Sequence, residues 1–242
     1  MADADSPRPA RPPLIAGIYN YCDTRCPQCP FNARCLLYLQ QQRTDSADPI
    51  GDVLKEYPAP EPSPEFLEFI NRAEEAVRNM TPEESAAIQR EYDARHSQVN
   101  ADRLVIAARY YTMTAWNVTQ ALTPIAEERG DPVVIAAVET IAALSGLVSS
   151  KTYRAVSGEA DEDFDRFDLE SDANGSAKVA RLIIGDSRRA WRVLMEIGRA
   201  AADGVPMGLL RVLDEIDAGL AQRFPRAMSF VRPGFDTESV VS

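Results

Sequence analysis

From residue 64 onward apolar residues recur every three or four positions, and no stretch alternates apolar and polar residues convincingly enough to form a half-buried strand. That periodicity predicts an all-α fold: a helical bundle of about four main helices with short outer ones, carrying an N-terminal four-cysteine metal-binding loop. The organisation expected along the chain is a disordered Pro-rich lead over 1–13, a cysteine loop with a short helix over 14–42, and a Pro- and acid-rich linker over 43–63. The bundle then fills 64–242, with the C-terminal tail docked back on it.

The helix signals are local and physical. Ser63-Pro64-Glu65 combines a capping hydroxyl with a proline at the first helical position, where its missing N–H costs nothing. Phe66, Phe69, Ile70, Ala73 and Val77 follow at helical spacing. Thr81-Pro82-Glu83-Glu84 repeats the start signal and predicts a nearly unbroken helix to about Leu122, with Leu104, Ala108, Tyr111, Ala115, Val118 and Leu122 as its seam. Thr123-Pro124 and Arg129-Gly130 bracket its end, and Asp131-Pro132 starts the next helix. Val133–Val148 is almost wholly apolar, so that helix is expected to be buried on most sides; at about sixteen residues with Glu139 inside, it is short for a membrane span of roughly 20. A long helix over about 176–201 has the seam Val179, Ile183, Asp186, Ala190, Val193 and Ile197, and a last helix runs from about Pro206 to Phe224.

The chemical signature lies at the other end. Cys22, Cys26, Cys29 and Cys35, all the cysteines of the protein, fall within fourteen consecutive residues as C-x3-C-x2-C-x5-C. Four thiolates at such spacings suit a tetrahedral zinc ion or an iron–sulfur cluster. Disulfides are expected in small secreted chains, whereas this one begins Met1-Ala-Asp-Ala-Asp-Ser without the apolar run of a signal peptide. A cytoplasmic protein with a metal on four cysteines is the expectation.

Two resemblances bear on the metal. Cys26-x2-Cys29-x5-Cys35 resembles the end of the 4Fe–4S loop of endonuclease III-type DNA glycosylases, although the gap before it is three residues rather than six. The helix-hairpin-helix pattern of those enzymes is not found. Cys22-x3-Cys26-x2-Cys29 is similar to the motif of radical S-adenosylmethionine enzymes, but Gln28 replaces the usual aromatic residue and no alternating strand–helix pattern follows. A 4Fe–4S cluster with a redox or sensing role is the first expectation, and a structural zinc clip on a helical interaction protein the alternative. More widely, Tyr19-Asn-Tyr-Cys-Asp23 with the cysteine loop, Ser171-Asp-Ala-Asn-Gly-Ser-Ala-Lys178, and Arg232-Pro-Gly-Phe-Asp236 together resemble a family of uncharacterised bacterial proteins with a YCDxxCxxCPF-type start. That resemblance implies a shared architecture and no activity.

Charge bears on partners. Twenty-six basic against 37 acidic residues give a net charge of −11, which argues against a general nucleic-acid binder or an anionic-membrane binder. Within the helices, Glu139 and Asp186 stand on apolar faces, Lys151 and Lys178 offer countercharges, and Asp172 and Asn174 lie near a helix start. These six residues are candidates for a pocket binding a small anionic ligand, or for buried charge pairs that fix the bundle's register. A protein partner is the other class of ligand considered. His96, three residues after Asp93, has the spacing used in di-iron bundles, but it is the sole histidine and its surroundings are polar, so an exposed side chain is expected. Asp161-x-Asp163-x-Asp165 has the start of a calcium loop, but Arg166 stands where glycine is required. The P-loop, the nucleophile elbow and the zinc-protease helix are not found, and catalytic residues are unassigned.

Overall fold

The computed structural model describes residues 12–57, 61–160, 165, 168–196 and 204–237, and these are helical throughout their regular structure, with no strand among them. Eight α-helices are described rather than about four: α1 (Leu36–Gln41), α2 (Pro49–Glu56), α3 (Pro64–Asn79), α4 (Pro82–Asn100), α5 (Arg103–Arg129), α6 (Pro132–Glu159), α7 (Asp172–Glu196) and α8 (Val205–Arg223). Two compact units divide the chain. One comprises Met1–Tyr19, Arg25–Thr81 and Pro233–Ser242; the other comprises Asn20–Thr24 and Pro82–Arg232.

In the larger unit, α5 to α8 enclose the main core. Tyr111 and Ala115 of α5, Ile141 and Leu144 of α6, Ile184 and Trp191 of α7, and Leu213, Ile216 and Leu220 of α8 are buried in one cluster. Antiparallel neighbours α6 and α7 pack closely because small residues face each other; a Cβ on Gly158 would stand 3.0 Å from the Cβ of Ala173. Two polar contacts cross the interior: the Trp191 Nε1–H donates to the Tyr111 hydroxyl at 3.1 Å, and the Thr112 hydroxyl donates to the Ser145 carbonyl at 2.6 Å. On the rim, Arg181 and Arg188 of α7 hold Asp217 of α8 at 2.7 and 2.9 Å. Burial pushes the Asp217 carboxyl up, but the two guanidinium groups outweigh it and hold it below the ordinary carboxylate value.

Several boundaries differ from the periodicity reading. The run expected to be nearly continuous from Thr81 breaks at Ala101–Asp102, because the Asp102 carboxylate caps a new helix by accepting from the Leu104 N–H at 2.8 Å. The Asp102 carboxylate is also held by Arg223 at 2.8 Å, and that guanidinium bonds Glu159 as well, so one arginine ties together the start of α5, the end of α6 and α8. Downstream, α5 runs through Pro124 and stops at Gly130, which adopts φ +66°. Pro124 and Gln120, whose carbonyl loses its partner, are both exposed, so water can satisfy that oxygen.

The helix expected to be buried on most sides, α6, is buried along one face only. Ala137, Val138, Ile141, Leu144 and Val148 point inward, while Val133, Ala136, Glu139, Ala143 and Gly146 are exposed. By length and composition it is apolar enough to cross a membrane, and its packed face is equally that of a core helix. The long helix α7 begins earlier than expected, because the Ser171 hydroxyl accepts the Asn174 N–H at 3.2 Å; its expected seam residue Ile197 lies outside the described residues.

In the smaller unit, the expected linker contains α2, started by Asp48, whose side chain accepts from the Gly51 N–H, followed by Pro49. Val53 is fully buried there, and Arg43 pairs with Glu56 at 2.7 Å. Helix α3 is capped by Ser63 as expected, but its apolar residues Phe66, Phe69, Ile70, Ala73 and Val77 are all exposed.

Candidate functional site

The cysteine loop of the smaller unit is a succession of tight turns. Cys26–Gln28 and Asn32–Arg34 are single 3-10 turns, closed by the Cys29 N–H on the Cys26 carbonyl and the Cys35 N–H on the Asn32 carbonyl, at 3.1 and 3.2 Å. Pro27 favours the first turn by fixing φ at its start. The approach segment is tied to the loop: the Ile15 N–H donates to the Arg34 carbonyl at 3.0 Å, and the Arg34 guanidinium donates to the Pro13 carbonyl at 2.9 Å. Ile18, Phe31 and Cys35 form a small buried cluster, with Cys29, Ile15 and Phe235 around it. Phe235 meets Phe31 edge-on at 5.3 Å, and Gly234, at φ +79°, turns the tail so that it passes Ile18 and Ile15.

Cys22 belongs to the larger unit and Cys26, Cys29 and Cys35 to the smaller. No disulfide joins any of the four. Among the described residues, no three His, Cys, Asp or Glu side chains are gathered as a metal-holding group. The donor set, four thiol groups and tight turns between them, is chemically suited to a tetrahedral zinc ion or a cubane cluster. Between Cys22 and Cys26 the backbone of Thr24 takes φ +58°, a left-handed conformation uncommon outside glycine.

The segment Asn20–Thr24 is fixed on α6 and α7 by a dense polar set. The Tyr21 hydroxyl donates to Asp172 Oδ1 at 2.8 Å, and Arg154 grips the same carboxylate with two nitrogens, each at 2.6 Å. Arg154 also donates to Asn20 Oδ1 at 3.3 Å, and Lys151 Nζ donates to the Asn20 carbonyl at 2.5 Å. Behind these contacts the Tyr21 ring lies 4.7 Å from that of Phe230, and the Lys178 ammonium donates to the Phe230 carbonyl at 2.6 Å. Gly175 makes room for both rings: a Cβ there would stand 2.5 Å from Tyr21 Cε1 and 2.7 Å from Phe230 Cζ. Asn20 and Tyr21 thus meet the Ser171–Lys178 stretch, and Phe230 packs against Tyr21 and is held by Lys178.

No family model, curated protein or solved structure matches the chain.

Of the six candidate pocket or charge-pair residues, Lys151, Asp172 and Lys178 hold this anchor, as described. Asn174 is fully buried nearby and donates to the Asp168 carbonyl at 2.6 Å and to the Ser171 hydroxyl at 3.0 Å. The other two lie elsewhere: Glu139 is exposed on the outer face of α6, and Asp186, half-buried, pairs with Arg189 one turn along α7. Sequence reasoning missed Arg154 and Tyr21 as partners of Asp172, and Asn20 as the acceptor for Arg154 and Lys151. The signal lay in Tyr19-Asn20-Tyr21, three polar-tipped side chains directly before the first cysteine. His96 is exposed, as expected, with its ring stacked on Tyr92 at 6.0 Å and edge-on to Tyr153 at 6.0 Å. Two aspartates of the calcium-like run, Asp161 and Asp163, lie outside the described residues.

Burial, and then the hydrogen bond to Asp172, push the Tyr21 phenol up from 10.0 to about 12. A raised phenol favours the protonated form in the folded state, so its contribution to stability is complete below pH 10.0 and is lost as pH climbs toward about 12. Denaturation midpoints measured across that window should fall more steeply for the native sequence than for Tyr21→Phe; identical alkaline profiles would contradict the anchor. Burial, followed by the neighbouring Arg154 charge, pushes the Lys151 ammonium below its ordinary value, while Cys22 and Asp172 pull it back up. Cys22 is therefore in electrostatic reach of Lys151.

Proposed function

We propose that this chain is a cytoplasmic metal-binding helical protein whose four cysteines hold a 4Fe–4S cluster with a redox or sensing role. The observation that supports it most is the donor set itself, four undisulfided thiols within fourteen residues, with Cys26 opening one 3-10 turn and Cys29 and Cys35 closing successive ones. A bound cluster would supply one-electron exchange, or loss of the cluster on oxidation, as its chemistry. The chain's own residues have positional roles: Tyr21, Arg154 and Asp172 hold the segment leading into Cys22, and Phe31 packs between Cys29 and Cys35 in sequence and against Phe235 in space.

A structural zinc clip is the second reading, favoured by one specific observation. Among the described residues, the apolar cluster beside Cys29 and Cys35 has three buried members, Ile18, Phe31 and Cys35, which is a small core for a loop of this length. Small units with so little buried surface gain their stability from a metal or a crosslink. For an anionic-ligand pocket the support is weaker, since the Lys151 and Lys178 ammonium groups both donate to backbone carbonyls.

Replacing Cys26 by serine tests the assignment and separates the two readings. Metal content should drop to near zero under either. With zinc as a clip, the loop around Phe31 becomes protease-sensitive; with a cluster in a redox role, the helices stay folded and the response to oxidant disappears. Full retention of metal by Cys26→Ser would contradict both.

A further inference from the structure

The outward face of α5 is complementary to its own reverse. Arg103, Ile106, Tyr110, Met113, Asn117, Ala121, Pro124 and Glu128 recur at steps of three and four, and every one of them is exposed. Ile106, Tyr110 and Met113 are 52%, 58% and 68% exposed, with Trp116 beside them at 52%. Large apolar side chains in one contiguous strip, rather than scattered singly, mark an interaction surface.

From this strip we infer that α5 is a homodimer interface, in which two copies of the chain pair α5 against α5 antiparallel about a two-fold axis near residue 115. The strip itself selects the occupant. Folded onto its own reverse, Arg103 falls opposite Glu128, Ile106 opposite Pro124, Tyr110 opposite Ala121, and Met113 opposite Asn117. Opposite charges meet at both ends, and the largest ring meets the smallest side chain. A two-fold interface requires this kind of self-complementarity, since each contact occurs twice. From Arg103 to Glu128 the helix spans about 38 Å at 1.5 Å per residue, long enough for a continuous helix pair. Asn117, the one polar residue at the centre, disfavours shifted registers, as single polar residues do in helix pairs. An anionic lipid surface is the poorer occupant, because the strip carries an acidic end and the chain has a net charge of −11.

This interface is independent of the metal assignment. Sedimentation equilibrium on the 242-residue chain tests it directly, with expected masses of a dimer for the native sequence and of a monomer for Met113→Arg at unchanged helicity. Arg103→Glu should weaken association by about tenfold or more by placing like charges opposite each other, and adding Glu128→Arg should restore it. A native protein that stays monomeric, with or without binding to anionic vesicles, would overturn the proposal. So would a dimer indifferent to Arg103→Glu, or one that the double charge swap fails to restore.

Discussion

Trp191→Ala is expected to lower the free energy of unfolding by about 3–5 kcal/mol, the largest single loss in the helical unit. The indole is fully buried on α7, in the same cluster as Tyr111 of α5 and Leu213 and Ile216 of α8. Truncation removes the transfer free energy of the ring and leaves a cavity that four long helices cannot collapse without shifting together. It also removes the donor to the Tyr111 hydroxyl, which sits fully buried at 3.1 Å from Nε1. The hydroxyl keeps Ser187 as a hydrogen-bond neighbour, so the lost bond costs about 1 kcal/mol, a part of the total rather than an addition to it. Trp191→Phe separates the two effects by keeping most of the apolar volume, and a loss of about 1–2 kcal/mol is expected for it. Urea denaturation followed by circular dichroism measures both; a loss below about 1 kcal/mol for the alanine variant would show that Trp191 does not hold the core.

Gly175→Val should cost about 2–3 kcal/mol and detach the Tyr21 segment from the helices. Two effects compete. Removing a glycine from a helix interior stabilises by up to about 1 kcal/mol, and by less for a β-branched replacement. Against that, even the first carbon would stand 2.5 Å from Tyr21 Cε1 and 2.7 Å from Phe230 Cζ, inside contact distance of two rings that are themselves packed at 4.7 Å. The rings cannot both be retained, because Tyr21 is held at its far end by Asp172 and Phe230 by its carbonyl bond to Lys178. Overlap therefore outweighs propensity. Fluorescence and limited proteolysis near Tyr21, compared with the same variant at the open position Gly146, report the release; equal stability of Gly175→Val and Gly146→Val would contradict the close approach.

Helix ends carrying their own chemistry were legible in the sequence. Ser63-Pro64, Asp131-Pro132 and Arg129-Gly130 mark ends by groups that bond or bend within a few residues, and the structure places helix ends at each. The same signal at Asp48-Pro49 was submerged in a Pro-rich stretch, where composition argued for a linker. Periodicity shows that a face is apolar but not what lies against it. The seam of α3 and the outer face of α6 are therefore exposed, although their patterns resemble those of buried helices. Long-range pairing was the least legible. Asp172 meets Tyr21 across 151 positions of sequence, and nothing around Arg154 singles it out from the other arginines as the partner of that carboxylate.

The measurement that most directly tests the central claim is the metal content and absorption spectrum of the untagged protein purified without oxygen. Four cysteine ligands carrying a 4Fe–4S cluster predict about four irons per chain and a broad band near roughly 400 nm, lost on replacement of Cys26. One zinc per chain with no visible band would select the structural clip. Protein that binds neither metal, with all four thiols open to alkylation, would contradict the account.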